Sequence, residues 1–338
     1  MTAADGPLDP IGRTIGGRYR VESILGRGGM GAVYRVRDVD GPVLALKRGW
    51  ARDPSKAAKR QALLQREYCT LAQLAHPRII EVYDYGIDER GPYYTMELLD
   101  GADLESGGKL PWREVCAVLH DVASSLAILH SRRLLHRDVS ARNVRRTADG
   151  RAKLIDFGAL SSMETTKDVV GTPPFVAPEV LQMQTLDARS DLYSLGALGY
   201  FLLTGRHAFP ARRLNELRDV WRSTPAAPHR LEREVPLPLS ALILQLLSLD
   251  RGARPRSAAE VMTRVAGLAG LSAEEPSSIS DAYLTTPVLI GREQALVAVR
   301  RRMLGLGRGD GGVVLIEGLP GSGRSRMLDA CALEAKLL

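Results

Sequence analysis

Short runs rich in β-branched, aromatic and other hydrophobic residues fill the first part of the chain, and such runs predict strands. Residues 19–38 hold two such runs, and three more lie at 43–49, 79–85 and 93–98. Between the third and fourth runs, residues 56–75 carry Leu and Tyr at helical spacing, and a His-Pro pair ends the predicted helix.

From about Pro111 to about Gly270 the pattern is mostly helical, with short strands and Gly-, Thr- and Pro-rich loops at 134–178. Strands first and helices afterwards, without regular βα alternation, predict an α+β fold in two lobes. The most apolar stretches, 192–203 and 237–249, contain Ser, Tyr or Gln. They fall short of the ~20 residues of a membrane span, so we interpret both as buried helices.

Both ends of the chain follow other patterns. Residues 1–17 contain Gly, Pro and Asp without periodicity and are predicted to form a flexible leader. The polar, turn-prone residues 271–287 predict a linker. Residues 288–338 then predict a new unit with a helix, a strand at 313–317, Gly-rich loops and a last helix.

Composition narrows the class of protein. The chain has 338 residues, of which 45% are hydrophobic and 25% charged, so it is long enough for about two globular domains and global disorder is excluded. The net charge of +7 comes mostly from scattered Arg, and we predict neither a nucleic-acid partner nor a membrane span. The widely spaced Cys69, Cys116 and Cys331 argue against a disulfide framework or a zinc site. Together with the lack of an apolar signal segment, they lead us to expect a cytoplasmic location.

The first chemical motif is the Gly-rich segment 26–33, which reads G-x-G-x-x-G-x-V between two predicted strands. Backbone N–H groups of such glycines can approach phosphate oxygens, although an ordinary Gly-rich hairpin explains the motif alone equally well. A dinucleotide-binding loop would need a helix after the glycines, and here a strand follows. Lys47 lies in the next strand, and Glu67 on the following helix could hold this lysine towards phosphate.

Three later segments decide the interpretation: HRDVSARN at 136–143, DFG at 156–158 and APE at 177–179. Together with the glycine motif and the A-x-K motif at 45–47, they make five motifs. The order and spacing of these motifs resemble those of the protein kinase family, in particular bacterial Hanks-type serine/threonine kinases. The resemblance runs from about 19 to about 267. It implies a bilobal protein kinase fold over 18–270, with a β-rich N-lobe to about residue 98 and a helical C-lobe beyond it.

The resemblance also implies a role for each matching residue. Asp138 would orient the substrate hydroxyl or accept its proton, while Asn143 and Asp156 would hold Mg²⁺, or Mn²⁺ in its place. Lys47, paired with Glu67, would contact the α and β phosphates of ATP. The other implied ATP-binding positions are Leu25, Gly26, Gly28, Gly31, Val33, Ala45, Met96, Glu97 and Leu99.

Within this set, Met96 would be the gatekeeper, and the backbone of Glu97 and Leu99 would meet the adenine. Asp103 lies where kinases often place an acid that contacts the ribose, but an N-cap of a helix beginning at Leu104 explains it equally well. Three further residues match the large-lobe framework of the family: Asp191, Arg254 and Glu179. The resemblance implies that Arg254 and Glu179 form an ion pair.

Two features near the catalytic Asp indicate different acceptors. Most serine/threonine kinases have Lys two residues after this Asp, where the chain has Ser140, while Arg142 matches the Arg of tyrosine kinases and could supply a cation at the γ-phosphate. Thr172, in GTPPF, resembles the serine/threonine-kinase Thr that contacts the catalytic loop. We give Thr172 the greater weight and predict Ser/Thr acceptors. Tyrosine or dual specificity, and a pseudokinase that regulates an attached ATPase, are the alternatives.

The segment after DFG carries four hydroxyls, Ser161, Ser162, Thr165 and Thr166. A phosphate on one of them could pair with Arg137 and order the segment, although such residues also simply favour loops. The predicted partners are therefore ATP, the Ser and Thr residues of protein substrates, and the chain's own activation segment.

Residues 318–325 read as the P-loop G-x-x-x-x-G-K-S with Arg324 in place of Lys. With the upstream Ile290–Glu293, they resemble the start of AAA-type ATPase modules in large bacterial regulators. The resemblance implies a truncated α/β P-loop fragment over 288–338, at the start of a longer module. A single βα unit buries too little apolar surface, so we expect no ATP hydrolysis from it, and a Gly-rich turn without nucleotide is the alternative.

Overall fold

The computed structural model describes residues 8–28, 31–50, 57–163, 169–271, 291–305, 312–319 and 321–337. Contacts divide the chain into two compact units. The N-terminal unit contains Met1–Ala75, Glu81–Leu98 and Thr285–Leu338, and the C-terminal unit contains His76–Ile80 and Leu99–Leu284. Thr165, Thr166 and nearly all of the predicted linker lie outside the described residues.

The N-terminal unit is built on a six-stranded antiparallel sheet with the order β1-β2-β3-β4-β6-β5. Its strands are β1 (Thr14–Ile15), β2 (Tyr19–Gly28), β3 (Gly31–Asp38), β4 (Val43–Gly49), β5 (Val82–Asp88) and β6 (Gly91–Met96), and helix α1 spans Ala57–Leu71. The strand-like runs of the sequence predicted β2 to β6, with β4 at the same bounds and β5 and β6 with shifted ends, whereas β1 lies in the segment predicted to be a flexible leader.

The sheet has a hydrophobic core on the face opposite Lys47, because successive side chains of a strand point to opposite faces. Leu44 and Leu46 of β4 lie in this core. The other buried members are Ile15, Tyr19, Val21, Ala32, Tyr34, Val36, Trp50 and Tyr93.

The N-terminal segment corrects one prediction. Residues 8–17 were expected to be a flexible leader, but Ile15 is fully buried in this core and β1 pairs with β2. Leu8 also packs against the core. The segment lacks periodicity because it contributes single buried side chains between turns, rather than one continuous strand face.

The C-terminal unit is mainly helical. Its helices are α2 (Trp112–Ser131), α3 (Pro178–Leu181), α4 (Ala188–Thr204), α5 (Leu217–Val220), α6 (Pro228–Leu231), α7 (Leu237–Leu246) and α8 (Ala258–Ala269). Two short antiparallel pairs frame the loops between α2 and α3: β7 (Leu134–Leu135) with β10 (Ser161–Ser162), and β8 (Val144–Arg146) with β9 (Ala152–Leu154). The first apolar stretch lies in the buried helix α4, as predicted, whereas the second forms α7, which buries one face and leaves Leu237 exposed.

The last part of the chain contains helices α9 (Glu293–Gly305) and α10 (Arg324–Leu337). They share a small buried cluster of Val299, Met327 and Cys331. The strand predicted at 313–317 is not formed among the described residues, and Val313 is 91% exposed. A strand requires a hydrogen-bonded neighbour, and none of the described segments pairs with it. Within the described ranges, no helix combines the length and apolar character needed to cross a bilayer.

Candidate active site

Lys47 is held by an ion pair inside the N-terminal unit. Its Nζ lies 2.7 Å from Oε1 of Glu67 on α1, and the hydroxyl of Tyr94 donates to the same oxygen at 3.1 Å. Both side chains of the pair are largely buried. A buried charge is stable only with a well-placed partner of opposite charge. The pair therefore fixes the ammonium in one place, and Tyr94 is a contributor that the sequence alone did not single out.

Five of the predicted nucleotide residues share one face of the sheet. The strand register sets Val33 opposite Lys47 and Ala45 opposite Met96, and Gly31 lies two residues before Val33 on the same strand. Residues that are opposite one another or two apart lie on the same face of a sheet. The structure thus brings glycine loop, lysine and gatekeeper position together.

The remaining N-terminal positions are less closely grouped. Leu25, Gly26 and Gly28 are exposed near the end of β2. Glu97 donates its backbone N–H to the carbonyl of Glu81 at 3.0 Å and accepts the N–H of Glu81 on its carboxylate at 2.9 Å. The amide N–H of Glu97 is therefore engaged within the protein.

In the C-terminal unit, Asp191 at the start of α4 holds the catalytic loop. Its carboxylate accepts the backbone N–H groups of His136 at 2.9 Å and Arg137 at 2.8 Å, and Nε2 of His130 lies 2.9 Å away. Arg137 has φ of 67°, an unfavourable conformation for a non-glycine residue that these bonds stabilise. Burial acts to raise the pKa of Asp191, but contact with His130 outweighs it and holds that pKa below its usual range.

Asp138 is the meeting point of the catalytic loop and the activation segment. Nδ2 of Asn143 donates to Oδ2 of Asp138 at 2.9 Å and to its backbone carbonyl at 2.8 Å. Thr172 donates both its N–H and its hydroxyl to Oδ1, at 2.9 and 2.8 Å. The structure therefore joins three sequence-predicted residues in one hydrogen-bonded group.

The segment containing Asp156 lies beside this group. The N–H of Ile155 donates to the carbonyl of Asn143 at 3.0 Å, and Gly158 donates its N–H to Oδ1 of Asp156 at 3.0 Å. The ring of the following Phe157 packs edge-on against His136, 4.9 Å between centroids. Burial lowers the pKa of His136, and its Nδ1 accepts the N–H of Asp138 at 3.3 Å, so the ring supports the catalytic loop as structure.

Two predicted site residues have contacts that the sequence analysis did not foresee. Arg142 forms an ion pair with Glu105, a partner that sequence reasoning missed, and its side chain is 67% exposed. Asp103 begins a turn, accepting the N–H of Ser106 at 2.8 Å, and no helix begins at Leu104. The helix-cap interpretation is therefore wrong, since the short side chain caps a turn instead.

The large-lobe ion pair is present as expected. Nη1 and Nη2 of Arg254 lie 2.7 and 2.9 Å from the two carboxylate oxygens of Glu179, and Ser190 donates its hydroxyl to the same carboxylate at 2.8 Å. This buried, bidentate pair anchors the end of the activation segment to the helical core.

Comparison with known proteins identifies the family. The protein kinase domain matches residues 19–265, which is most of the chain. The chain belongs to the protein kinase family. It is similar to the kinase domain of Mycobacterium tuberculosis PknI, in the crystal structure of a double mutant, with a TM-score of 0.62 and 29% identity over 78% of this chain and 100% of that one.

Curated relatives agree on the class of kinase. A probable serine/threonine-protein kinase of Streptomyces coelicolor is 35% identical over 74% of this chain and 39% of the relative. Serine/threonine-protein kinase PknB of Mycobacterium leprae is 32% identical, over 78% of this chain and 45% of the relative. Serine/threonine-protein kinase pkn2 of Myxococcus xanthus is 33% identical, over 83% of this chain and 36% of the relative. The chain thus spans less than half the length of these relatives.

These findings confirm the protein kinase fold, with its β-rich N-lobe and helical C-lobe, and the serine/threonine class predicted from the sequence. They do not favour the tyrosine-specific or pseudokinase alternatives. Members of this family use ATP and a divalent metal ion. The family match ends before residues 288–338.

Proposed function

We propose that the chain transfers the γ-phosphoryl group of ATP to Ser and Thr hydroxyls of proteins, including its own activation segment. The observation that carries this proposal is the set of bonds on Asp138. Its Oδ1 accepts two bonds from Thr172, whereas Oδ2 accepts one from Asn143. Each carboxylate oxygen has two lone-pair positions, so we assign Oδ2 to the acceptor hydroxyl.

Asp138 then has a defined task. It holds the acceptor oxygen towards the γ-phosphorus and takes the hydroxyl proton as the new O–P bond forms. Thr172 and Asn143 keep the carboxylate from rotating, because each binds a different oxygen. Thr172 also supports the Ser/Thr preference, since it lies directly beside the proposed acceptor position.

ATP is assigned to the Lys47 face of the N-terminal sheet. Lys47, fixed by Glu67, would contact the phosphates, and the glycine hairpin would cover them with backbone N–H groups. Val33, Ala45 and Met96 offer an apolar surface for the base. A cytoplasmic location belongs to the same proposal, because ATP is the phosphoryl donor.

The donor set of Asn143 and Asp156 fits a divalent metal ion. Amide and carboxylate oxygens are the hard ligands that Mg²⁺ and Mn²⁺ prefer. Since Nδ2 of Asn143 donates to Asp138, its Oδ1 would be the metal ligand. When bound, the ion neutralises charge on the phosphates.

Activation is proposed to require phosphate on the segment after DFG, paired with Arg137. Ser161 and Ser162 lie in β10, where their backbones pair with β7, and Ser161 is partly buried. This pairing argues against them as first targets. Thr165 and Thr166 are therefore the preferred candidates within the predicted set.

The test is phosphotransfer from labelled ATP with Mg²⁺, followed by mapping of the modified residues. We expect label on Ser or Thr in the wild type and none in Asp138→Asn, which still binds nucleotide. Lys47→Met should lose transfer and weaken nucleotide binding. Equal labelling of the wild type and Asp138→Asn would refute the assigned roles, and label on Tyr alone would refute the acceptor class.

We also propose that residues 288–338 begin a P-loop ATPase module. The loop with positive φ at Gly321 and Gly323 leads into α10, which begins at the substituted Arg324. The guanidinium of Arg292, in the upstream motif, lies 3.4 Å from the carbonyl of Ser322 in this loop, which supports a link between the two motifs. We assign no nucleotide binding to this piece by itself.

A further inference from the structure

A buried ion cluster lies on the sheet face opposite Lys47. Arg48 follows Lys47 in β4, so its side chain points into the hydrophobic core, where it is 1% exposed. Its Nη1 and Nη2 lie 2.6 and 2.7 Å from the two oxygens of Asp88, and its Nε lies 2.7 Å from Oδ2 of Asp9. A buried guanidinium is costly unless carboxylates neutralise it, so the two Asp residues determine where it can lie.

Asp9 is the part of this cluster that comes from the N-terminal segment, residues 8–15. Its carboxylate is completely buried and also lies 3.3 Å from Arg13 and 3.3 Å from Arg90. Its backbone N–H donates to the hydroxyl of Tyr34 at 3.1 Å. Docking of the segment is therefore centred on one carboxylate and its contact with Arg48.

Arg48 also borders the glycine hairpin. In the register of β3 and β4 it lies opposite Ala32, and a Cβ atom at Gly31 would be 1.9 Å from the carbonyl oxygen of Arg48. The backbone of Arg48 is thus in tight contact with the end of the hairpin, and Lys47 is its direct neighbour. A shift of Arg48 would move both groups assigned to the ATP phosphates.

We propose that Asp9 is a positioning residue for ATP: by holding Arg48 it keeps β4, and with it Lys47 and the glycine hairpin, in place for the phosphates. The N-terminal segment is then part of the nucleotide site, although none of its residues is assigned to touch nucleotide. This inference rests on the proposed kinase function, because it concerns the same ATP site.

The experiment compares full-length variants by ATP KM, kcat and the Kd of a non-hydrolysable ATP analogue. Asp9→Asn is expected to raise KM and Kd by about fivefold while kcat changes by less than about twofold, because ground-state positioning is lost. Asp9→Glu, which keeps the charge, should recover part of the affinity. The matched control is Arg18→Ala, which removes partly exposed ion pairs to Asp38 and Asp84 in the same sheet and should leave KM and Kd unchanged.

Tyr34→Phe is the second variant, since Asp9→Asn can fail to fold. It removes only the acceptor of the Asp9 N–H and should raise Kd by about twofold. The inference is overturned when these variants lower the melting temperature but leave Kd at the wild-type value. A wild type that binds the analogue without transferring phosphate contradicts the proposed function alone, and the Kd series then still decides this inference.

Discussion

At the scale of single residues, the catalytic loop has Ser140 and Arg142 at the two positions where protein kinases place a cation. Ser140 is 1% exposed, and its hydroxyl has no hydrogen-bond partner among the described residues. Arg142 carries the nearby positive charge, but Glu105 holds it in a solvent-exposed pair. Exposed ion pairs contribute at most about 1 kcal/mol, so ATP phosphates can compete with Glu105 for this guanidinium.

We therefore predict that Arg142→Ala lowers kcat/KM for ATP by about tenfold or more, because a charge-assisted phosphate contact is lost. Ser140→Ala is the matched control in the same loop. It removes a hydroxyl without a bonded partner and should change activity by less than about twofold. Steady-state kinetics on the two variants provide the measurement. Equal activity of Arg142→Ala and the wild type would show that the Arg142 guanidinium does not contact the ATP phosphates.

His76 gives a residue-scale prediction for pH. Burial lowers its pKa from 6.5 to about 4, and its Nδ1 accepts the N–H of Arg78 at 3.1 Å. Between these two pKa values the unfolded chain binds a proton that the folded chain does not. Stability is therefore complete above pH 6.5 and falls as the pH drops, by about 2 kcal/mol at pH 5.

Chemical denaturation at pH 7 and pH 5 measures this loss. His76→Asn can still accept the Arg78 N–H but does not titrate, so its unfolding free energy should fall less. His136, whose pKa burial also lowers, adds a loss of the same sign in both proteins. The pKa of Asp121 is lowered to about 2, so its contribution to the stability of the protein is lost only below about pH 4. It therefore does not affect the comparison between pH 7 and pH 5. An identical pH dependence in both proteins would contradict the assignment to His76.

At the scale of elements, the turn between β1 and β2 depends on two adjacent glycines with positive φ. Gly16 has φ of 55° and Gly17 has φ of 71°. A Cβ atom at Gly16 would lie 1.8 Å from the hydroxyl of Tyr93, whereas a Cβ atom at Gly17 would meet nothing within 4 Å. The two positions share the backbone penalty and differ in the space available.

Gly17→Ala is expected to cost about 1 kcal/mol of unfolding free energy, from the left-handed backbone alone. Gly16→Ala should cost about 1–3 kcal/mol more, because the core must yield to the new methyl group. Adding Tyr93→Phe should recover part of that difference, since the closest atom is removed. Denaturant titrations of the four proteins decide this, and equal losses at Gly16 and Gly17 would contradict the packing explanation.

The strands and helices of the matched domain, β1 apart, were largely predictable, because strand-forming runs and helical spacing reflect burial. The two-residue period of a strand places Lys47 and Leu46 on opposite faces of the sheet. Segment 8–15 was not predictable, since its anchor is a single Asp whose partners, Arg48 and Arg90, are distant in sequence. The strand predicted at 313–317 is not formed among the described residues, because an apolar run becomes a strand only where a neighbouring strand can pair with it.

At the scale of the whole molecule, motifs and the family resemblance predicted candidate site residues and two ion pairs, Lys47 with Glu67 and Arg254 with Glu179, but not the other contacts that hold them. Asp138, Asn143 and Thr172 were named separately, and only the fold shows that they share one carboxylate. The engagement of Arg142 by Glu105 was invisible for the same reason. The Arg142–Glu105 pair depends on how elements pack, and no sequence motif records it.

The chain contains two Gly-rich phosphate motifs, and we predict that only the kinase motif binds ATP. A nucleotide at about 100 times its Kd should stabilise the protein by about 2.7 kcal/mol, and a domain of this size should then melt about 5–10 °C higher. Lys47→Met should remove most of this shift, because the phosphates lose their fixed cation. Arg324→Ala should keep it in full, since the loop before α10 forms no paired strand among the described residues to support a phosphate site. Thermal unfolding of the full chain with Mg²⁺ and a non-hydrolysable ATP analogue measures both variants. A shift lost in Arg324→Ala and kept in Lys47→Met would place the nucleotide at the C-terminal loop and overturn the assignment of ATP to the sheet face of Lys47.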